Sequence, residues 1–215
     1  MSGAIDWLVF DLGGVLVDVA CAEVTLSDLA SRTGTPRDRL DEVLRERFTE
    51  QPFSLAEQFQ TGLLDEHAFH AALNNELERP MSFDALKGAL ETMLEGDQPD
   101  TVALLSRLAS VHRIACYSNT NATHWRHLQA HFSFFAHIER AFASQELGYA
   151  KPDRRGFDAV VARLASAPAR CLLIDDRAVN IDGARAAGWQ ALLFTDAATL
   201  ERDLTRLGVA VPVAP

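Results

Sequence analysis

The sequence is poor in cysteine and has no long apolar run. Its three cysteines, Cys21, Cys116 and Cys171, are an odd number without the short spacing of a metal site, so we expect free thiols in a reducing compartment. No stretch approaches the roughly 18 continuous apolar residues that a membrane span requires. The acidic start of the chain also lacks the basic region of a signal peptide. These absences predict a cytoplasmic protein with no membrane association.

Basic residues are also in the minority, with 20 against 30 acidic residues and a net charge of −10. Such a charge repels nucleic acids, and no cluster of basic residues offsets it, so we expect no nucleic-acid partner. The composition is otherwise that of a globular protein, with 48% hydrophobic residues among 215. This length suits one domain, or one domain with a modest insertion. A monomer and a homodimer are both compatible with it.

Short apolar runs alternate with helical patterns along most of the chain. The predicted strands are residues 5–10, 114–117, 138–142, 171–174 and 191–194, and the predicted helices between the later strands are residues 101–110, 123–130, 155–165 and 180–187. This alternation predicts an α/β fold, a Rossmann-like doubly wound parallel sheet with helices on both faces.

Residues 18–96 break this rhythm, because they show helical spacing and no convincing strand. Leu26, Leu29 and Ala30, for example, recur at the spacing of one helix face. Turn-forming residues such as those at 33–36 separate the helical segments. We therefore predict a helical cap over residues 18–96, inserted directly after the first strand, and an α/β core domain over residues 1–17 and 97–215.

The loops after the strands contain the residues best suited to chemistry. In open parallel sheets, ligands bind beyond the carboxyl ends of the strands. The candidates there, in chain order, are Asp11, Ser118, Asn119, Lys151, Asp175 and Asp176. We expect all of them at one edge of the sheet.

Three of these candidates are carboxylates. Asp11 precedes Gly13 and Gly14, which allow a tight turn and a close approach of the backbone to a ligand. Asp175 and Asp176 repel one another unless they diverge or a cation lies between them. Mg²⁺ would satisfy this pair together with Asp11, a backbone carbonyl group and waters. Taken singly, the same residues also suit a loop turn or a helix start.

The other candidates could bind a phosphate group. Ser118 and Asn119 could direct a hydroxyl group and backbone N–H groups at a phosphoryl oxygen, or could simply cap the next helix. Lys151 is one of only two lysines among the 20 basic residues. Its compact charge suits a phosphate and a carboxylate together, whereas most of the chain uses arginine. A solvated surface charge is the alternative for this lysine.

Taken together, the four loops and the helical insertion resemble the haloacid dehalogenase superfamily. In order, its four motifs are matched by Asp11 to Val15, Ser118-Asn119, Lys151-Pro152 and Asp175-Asp176. The residues around these motifs, such as His124-Trp125, are most similar to the subfamily of alpha-glucose-1-phosphate phosphatases.

The resemblance implies a Mg²⁺-dependent hydrolase that acts on a small phosphorylated substrate. Asp11 would attack phosphorus and form an aspartyl phosphate, and the cap would close over the site. The implied metal ligands are Asp11, the backbone carbonyl of Gly13, Asp176, and Asp175 directly or through water. The implied phosphate-binding residues are Ser118, Asn119 and Lys151, and Lys151 would also keep Asp11 ionised.

One position departs from the phosphatase pattern. Most phosphatases of the superfamily have a second Asp two residues after the nucleophile, where it acts as general acid and base, and this chain has Gly13 there. General acid-base help is worth about 10² to 10⁴ in rate. Either another group or water gives this help, or the substrate has a leaving group of low basicity, which a sugar 1-phosphate has and a sugar 6-phosphate lacks.

Two other functions stay open. A 2-haloacid dehalogenase shares the nucleophile, the second loop and the lysine, but it needs no metal, and the pair Asp175-Asp176 argues against it. A protein that kept the fold only to bind a phosphorylated ligand is the second alternative, because Gly13 removes the usual acid.

Overall fold

The computed structural model describes residues 4–47 and 53–213. Within them the strands are β1 (Trp7–Phe10), β2 (Val17–Val19), β3 (Leu94–Asp97), β4 (Arg113–Ser118), β5 (Arg140–Ala143), β6 (Cys171–Asp175) and β7 (Gln190–Leu193). The α-helices are α1 (Ala22–Thr33), α2 (Arg37–Leu44), α3 (Leu55–Gln60), α4 (Glu66–Asn74), α5 (Phe83–Glu91), α6 (Pro99–Ala109), α7 (Ala122–His131), α8 (Ser144–Leu147), α9 (Arg154–Leu164), α10 (Ala178–Ala186) and α11 (Ala197–Arg206). None of the described helices is long and apolar enough to cross a bilayer.

β1 is the central strand of a five-stranded parallel sheet with the order β5-β4-β1-β6-β7. Residues 7–10 are all buried, as expected for an apolar run in a parallel sheet that is covered on both faces. Val9 pairs with Ala115 of β4 and with Leu173 of β6. All five carboxyl ends therefore lie at one edge, and the predicted α/β fold with a Rossmann-like parallel sheet is confirmed.

Helices cover both faces of this sheet. On one face, Phe10 belongs to a buried cluster with Leu105 of α6. On the other face, Val9 belongs to a second cluster with Phe157 of α9 and Ile181 of α10. Because successive side chains of a strand point to opposite faces, the short run of β1 anchors both layers.

The insertion after β1 folds into helices α1 to α5. Their apolar side chains form a separate hydrophobic cluster, made by Leu29, Leu40, Phe59, Phe69, Leu73, Leu77 and Leu86. Phe59 of α3 stacks on Phe69 of α4, with ring centroids 4.5 Å apart. Helical spacing thus predicted the secondary structure of this region well. The division of the chain at residues 18 and 96 stays a prediction.

Two short strands lie where the sequence analysis predicted none. β2 and β3 pair antiparallel, with Val17 opposite Asp97 and Asp18 opposite Gly96. They are three and four residues long, which is too short for a visible alternation of apolar and polar residues. Their pairing also joins positions that are distant in the sequence. This ribbon ties the two ends of the insertion together beside the loop after β1.

Hydrogen bonds join the insertion to the rest of the chain. Nε2 of His124 in α7 lies 2.9 Å from the carbonyl oxygen of Leu90 in α5. Nδ1 of His124 lies 3.1 Å from the side-chain nitrogen of Asn121, whose side-chain oxygen already accepts the backbone N–H of His124. Nδ1 must therefore accept a hydrogen bond, and Nε2–H must donate one to Leu90. This arrangement requires a neutral ring.

Acidification is expected to destabilise the protein through His124. Burial lowers its pKa from 6.5 to about 4, although the hydrogen bond to Leu90 raises it. Between these two pH values the unfolded chain takes up a proton that the folded chain does not bind, so stability falls as the pH drops from 6.5 toward 4. We expect His124 to contribute a loss of about 2 kcal/mol in the free energy of unfolding, measured as the difference between the wild type and His124→Gln in urea denaturation at neutral and at acidic pH.

His124→Gln keeps a donor for Leu90 but cannot take up a proton, so it should lose less stability on acidification than the wild type. His131→Gln, at an exposed position of the same helix, is the matched control and should behave like the wild type. Equal acid sensitivity of His124→Gln and the wild type would show that His124 is not the responsible group.

Candidate active site

Asp11 lies at the carboxyl end of β1. Its backbone N–H donates to the carbonyl oxygen of Ile174 at 2.8 Å, which extends the pairing of β1 with β6 by one residue. Its Oδ1 accepts the backbone N–H of Leu12 at 2.7 Å. Gly14, with a φ of +73°, then turns the chain. The carboxylate of Asp11 is consequently held at the edge of the sheet, where the residue is 6% exposed.

Lys151 connects the ends of β1 and β6. Its side chain is fully buried, and Nζ lies 2.9 Å from Oδ2 of Asp11 and 2.6 Å from Oδ2 of Asp175. A buried ammonium group requires such partners, because an unpaired one costs several kcal/mol. The side chain of Asn119 holds the backbone of Lys151: it accepts the N–H of Lys151 at 2.7 Å and donates to its carbonyl oxygen at 2.8 Å.

The two adjacent carboxylates of the last motif lie in different environments. Asp175 is fully buried, and besides Lys151 it accepts hydrogen bonds from the side chain of Asn180 and the backbone N–H of Arg177, each at 2.9 Å. Burial alone would raise the pKa of Asp175, but the charge of Lys151 and these hydrogen bonds lower it. Asp176 is exposed, and partial desolvation and the charge of Asp175 raise its pKa.

Negative charge exceeds positive charge at this edge of the sheet. Asp11, Asp175 and Asp176 each offer an oxygen within 4.8 Å of the others, and Lys151 is the cation in direct contact with the first two. Burial raises the pKa of Asp11 to about 8, even though Lys151 lowers it. A second cation would offset the surplus charge and favour the ionised form of Asp11.

Gly13 and Gly14 lie in different surroundings, and a side chain would meet different atoms at each position. A Cβ atom on Gly14 would lie 2.3 Å from Oδ2 of Asp176, so only glycine lets the loop approach that carboxylate. A Cβ atom on Gly13 would lie 3.1 Å from Cγ2 of Val19. A larger side chain at Gly13 would therefore require Val19 to move.

Ser118 and Asn119 lie at the same edge of the sheet, at the carboxyl end of β4. Ser118 is the last residue of β4 and is 4% exposed. Asn119 is partly buried, and its side chain is occupied by the backbone of Lys151. The fold thus brings all of the predicted residues to one edge, while the roles expected for them stay predictions.

Two supporting residues were not predicted from the sequence. The side chain of Asn180 donates to both oxygens of Asp175. An amide side chain five residues after Asp175, at the start of α10, is the sequence feature that could have indicated this contact. Ser144 accepts the backbone N–H of Thr120 at 2.9 Å and donates to the carbonyl oxygen of Gln60 at 2.6 Å. Nothing in the local sequence indicated the hydrogen bonds of Ser144, because Gln60, Thr120 and Ser144 are far apart in the chain.

These features define an α/β protein with a cluster of carboxylates at the carboxyl edge of a parallel sheet. The model of the haloacid dehalogenase-like hydrolase family matches residues 5–188, and the chain belongs to this family of hydrolases.

Two curated proteins are similar in sequence. The chloroplastic flavin mononucleotide hydrolase 1 of Arabidopsis thaliana is 30% identical over 162 residues, which cover 73% of this chain and 63% of that protein. Phosphatase MT3486 of Mycobacterium tuberculosis is 36% identical over 75 residues, which cover 33% of this chain and 35% of that protein. The chain therefore spans less than two thirds of the length of either relative.

Solved structures share the fold at low sequence identity. A haloacid dehalogenase family enzyme from Bacteroides thetaiotaomicron, in complex with magnesium and inorganic phosphate, is 22% identical with a TM-score of 0.78, covering 92% of this chain and 99% of that chain. The L-2-haloacid dehalogenase of Xanthobacter autotrophicus, with chloropropionic acid covalently bound, is 18% identical with a TM-score of 0.62, covering 96% and 84%. Proteins of this fold thus include one solved with magnesium and phosphate and one that is a dehalogenase.

Removal of the buried ammonium group should strongly destabilise the folded chain. Lys151→Met leaves Asp11 and Asp175 buried without their cation, so we expect a loss of about 3 kcal/mol in the free energy of unfolding at neutral pH. The loss should shrink in acid, where the carboxylates take up protons. Urea denaturation at both pH values measures this difference.

The other lysine of the chain is the matched control. Lys87 is 44% exposed and lies 3.7 Å from Glu91, so Lys87→Met should change the stability by less than about 0.5 kcal/mol. Equal effects of the two lysine substitutions would contradict the view that Lys151 holds the site together.

Proposed function

We propose that this chain is a Mg²⁺-dependent phosphatase, which hydrolyses a small phosphate monoester through an aspartyl phosphate on Asp11. The observation that carries the proposal is the position of Lys151, buried between Asp11 and Asp175. A fixed cation beside a strand-end carboxylate favours its ionised form and attracts an anionic substrate. The flavin mononucleotide hydrolase and phosphatase MT3486 support the same reaction class by their names.

The donor set fits a magnesium ion. Three carboxylates offer oxygens within 4.8 Å of one another, and Mg²⁺ prefers a few carboxylate oxygens together with waters and substrate phosphate oxygens. We assign Asp11, Asp176 and the carbonyl oxygen of Gly13 as ligands. Each oxygen of Asp175 already accepts two hydrogen bonds, against one contact on each oxygen of Asp11, so Asp175 would act through water. When bound, Mg²⁺ supplies positive charge that offsets the repulsion between carboxylate and phosphate.

In the first step, a carboxylate oxygen of Asp11 forms a bond to phosphorus while the bond from phosphorus to the ester oxygen breaks. Lys151 favours the ionised form of Asp11 against the effect of burial, and a bound Mg²⁺ would favour it further. Ser118, Lys151 and the backbone of Asn119 hold the remaining phosphate oxygens. In the second step, water attacks phosphorus and the bond from phosphorus to Asp11 breaks, which releases phosphate and restores the carboxylate. The proton of this water passes to solvent.

The absence of a side chain at Gly13 bears on the substrate. With no acid at that position, either another group or water protonates the leaving oxygen, or the substrate has a leaving group of low basicity, and we propose the last of these. A sugar 1-phosphate has such a leaving group, in line with the resemblance to glucose-1-phosphate phosphatases. A second function, metal-independent 2-haloacid dehalogenation, has the fold of the Xanthobacter enzyme in its favour and the surplus of carboxylates against it.

Phosphate release from a panel of esters tests the proposal. Glucose 1-phosphate, glucose 6-phosphate and flavin mononucleotide are compared in Mg²⁺ and in EDTA, with chloride release from 2-chloropropionate measured in parallel. We expect Mg²⁺-dependent phosphate release that falls by at least about a thousandfold in Asp11→Asn. Release of chloride without metal would replace the proposal by a dehalogenase. Silence in both assays would favour a protein that only binds a phosphorylated ligand.

Asp176→Asn tests the metal site without relying on turnover. Mg²⁺ binds only the folded chain, so it should raise the melting temperature of the wild type by on the order of 5 °C at saturating concentration. Asp176→Asn removes a ligand and should abolish most of this shift. Asp182→Asn, an equal change of charge at an exposed position of α10, should keep it. An equal Mg²⁺ response in all three proteins would contradict the assigned ligands.

A further inference from the structure

A cavity of about 560 Å³ lies among the helices of the insertion. This volume is within the range of roughly 300 to 1,000 Å³ that is typical of small-molecule sites. Most of its wall is apolar, and the lining includes Leu29, Phe59, Phe69, Leu73 and Leu86. These side chains belong to the buried cluster of the insertion, so the cavity lies against the apolar interior of that region.

The wall of the cavity also includes residues next to the candidate active site. Arg177 follows Asp176 directly, and its backbone N–H bonds to Asp175 at 2.9 Å. Asn121 lies two residues after Asn119 in the loop that follows β4. Both residues line the cavity. The cavity therefore adjoins the loops that would hold the phosphate group.

Each arginine of the wall is paired with an acidic residue, and Glu95 adds a further negative charge. Arg32 lies 2.7 Å from Asp28, and Arg177 lies 3.2 Å from Glu46. Arg45 pairs in the same way with Asp41, at 2.5 Å. The cavity thus offers no surplus of positive charge to a second anionic group, in contrast to Lys151 at the candidate active site.

Most uncharged polar groups of the wall are also occupied. The hydroxyl group of Thr92 donates to the carbonyl oxygen of Ala89, and the side chains of Asn121 and His124 bond to each other. Oε1 of Gln60 is the exception, as a buried oxygen without a hydrogen-bond partner among the described residues. Its amide nitrogen donates to Glu46, and the oxygen itself is buried out of reach of a ligand in the cavity.

We propose that this cavity receives the alcohol part of the substrate, and that this alcohol is a bulky, largely apolar group of ring size. The inference rests on the proposed phosphatase function, and for the carbon skeleton of the substrate it replaces the sugar named above by an apolar ring. The missing acid at Gly13 bears on the basicity of the leaving oxygen. The cavity bears on the size and polarity of the rest of the alcohol. A sugar ring carries several hydroxyl groups, and burying them against mostly apolar walls is costly. An apolar ring carries no such cost.

Two esters of nearly equal size isolate this effect. Cyclohexylmethyl phosphate and glucose 6-phosphate both place a primary phosphate ester on a six-membered ring, so their leaving groups differ little in basicity and differ strongly in polarity. We expect kcat/KM for cyclohexylmethyl phosphate to exceed that for glucose 6-phosphate by about tenfold or more. An equal or reversed ratio would overturn the proposal.

A bulky substitution in the wall tests whether the cavity is the cause. Ala89 of α5 lines the cavity, and Ala89→Phe should reduce the preference for the cyclohexyl ester by about tenfold. Ala85→Phe, at an exposed position of the same helix, should leave the preference unchanged. Ala89→Leu is the milder variant if Ala89→Phe does not fold. A preference that survives both substitutions at Ala89 would place the apolar site elsewhere and overturn the proposal.

Acetyl phosphate separates this proposal from the phosphatase itself. Its acyl group is too small to fill the cavity and leaves without an acid, so wild-type turnover of acetyl phosphate reports the chemistry at Asp11 alone. Turnover of acetyl phosphate without a preference between the two ring esters would overturn the cavity proposal and keep the phosphatase. No turnover of any of the three compounds would overturn the proposed phosphatase function, and with it the proposed role of the cavity.

Discussion

The ion pairs of Lys151 are the constraint on which the rest of the site depends. A fully buried ammonium group between two carboxylates holds the ends of β1 and β6 at a fixed spacing. Its own backbone is held by Asn119 at the end of β4. Three separate loops are thus joined by one charge, and loss of that charge would leave carboxylates buried without compensation. This is why one of only two lysines in an arginine-rich chain occurs here.

The same arrangement is costly for the folded state. Asp11 is a buried carboxylate whose pKa rises to about 8 because of desolvation, and Asp176 lies close to the backbone of Gly14. A protein selected for stability alone would not place three carboxylates within 4.8 Å of one another. Such a cluster is understandable where the surplus charge serves to bind a cation and to attack an electrophile. The hydrogen bonds of Asn180 to Asp175 and the ion pairs of Lys151 compensate part of this cost.

Much of the core could be predicted from the sequence, because its signals are local. The apolar run of β1 and the polar residues after each strand predicted a parallel sheet with one functional edge, and both follow from short segments. β2 and β3 were missed because they are short and pair across the whole insertion. The second role of Asn119, as a clamp on Lys151, depends on a contact 32 residues away. The cavity has no sequence signature, since the side chains that line it have the same helical spacing as those that fill a core.

The central claim is that Asp11 becomes covalently phosphorylated. The most direct measurement is mass spectrometry of the protein after rapid mixing with acetyl phosphate and Mg²⁺ and quenching in acid, followed by proteolysis. The account predicts an added phosphoryl group on the peptide that contains Asp11, which forms with Mg²⁺, disappears on treatment with hydroxylamine and is absent in Asp11→Asn. Phosphate release without any such adduct, or an adduct on another residue, would contradict it.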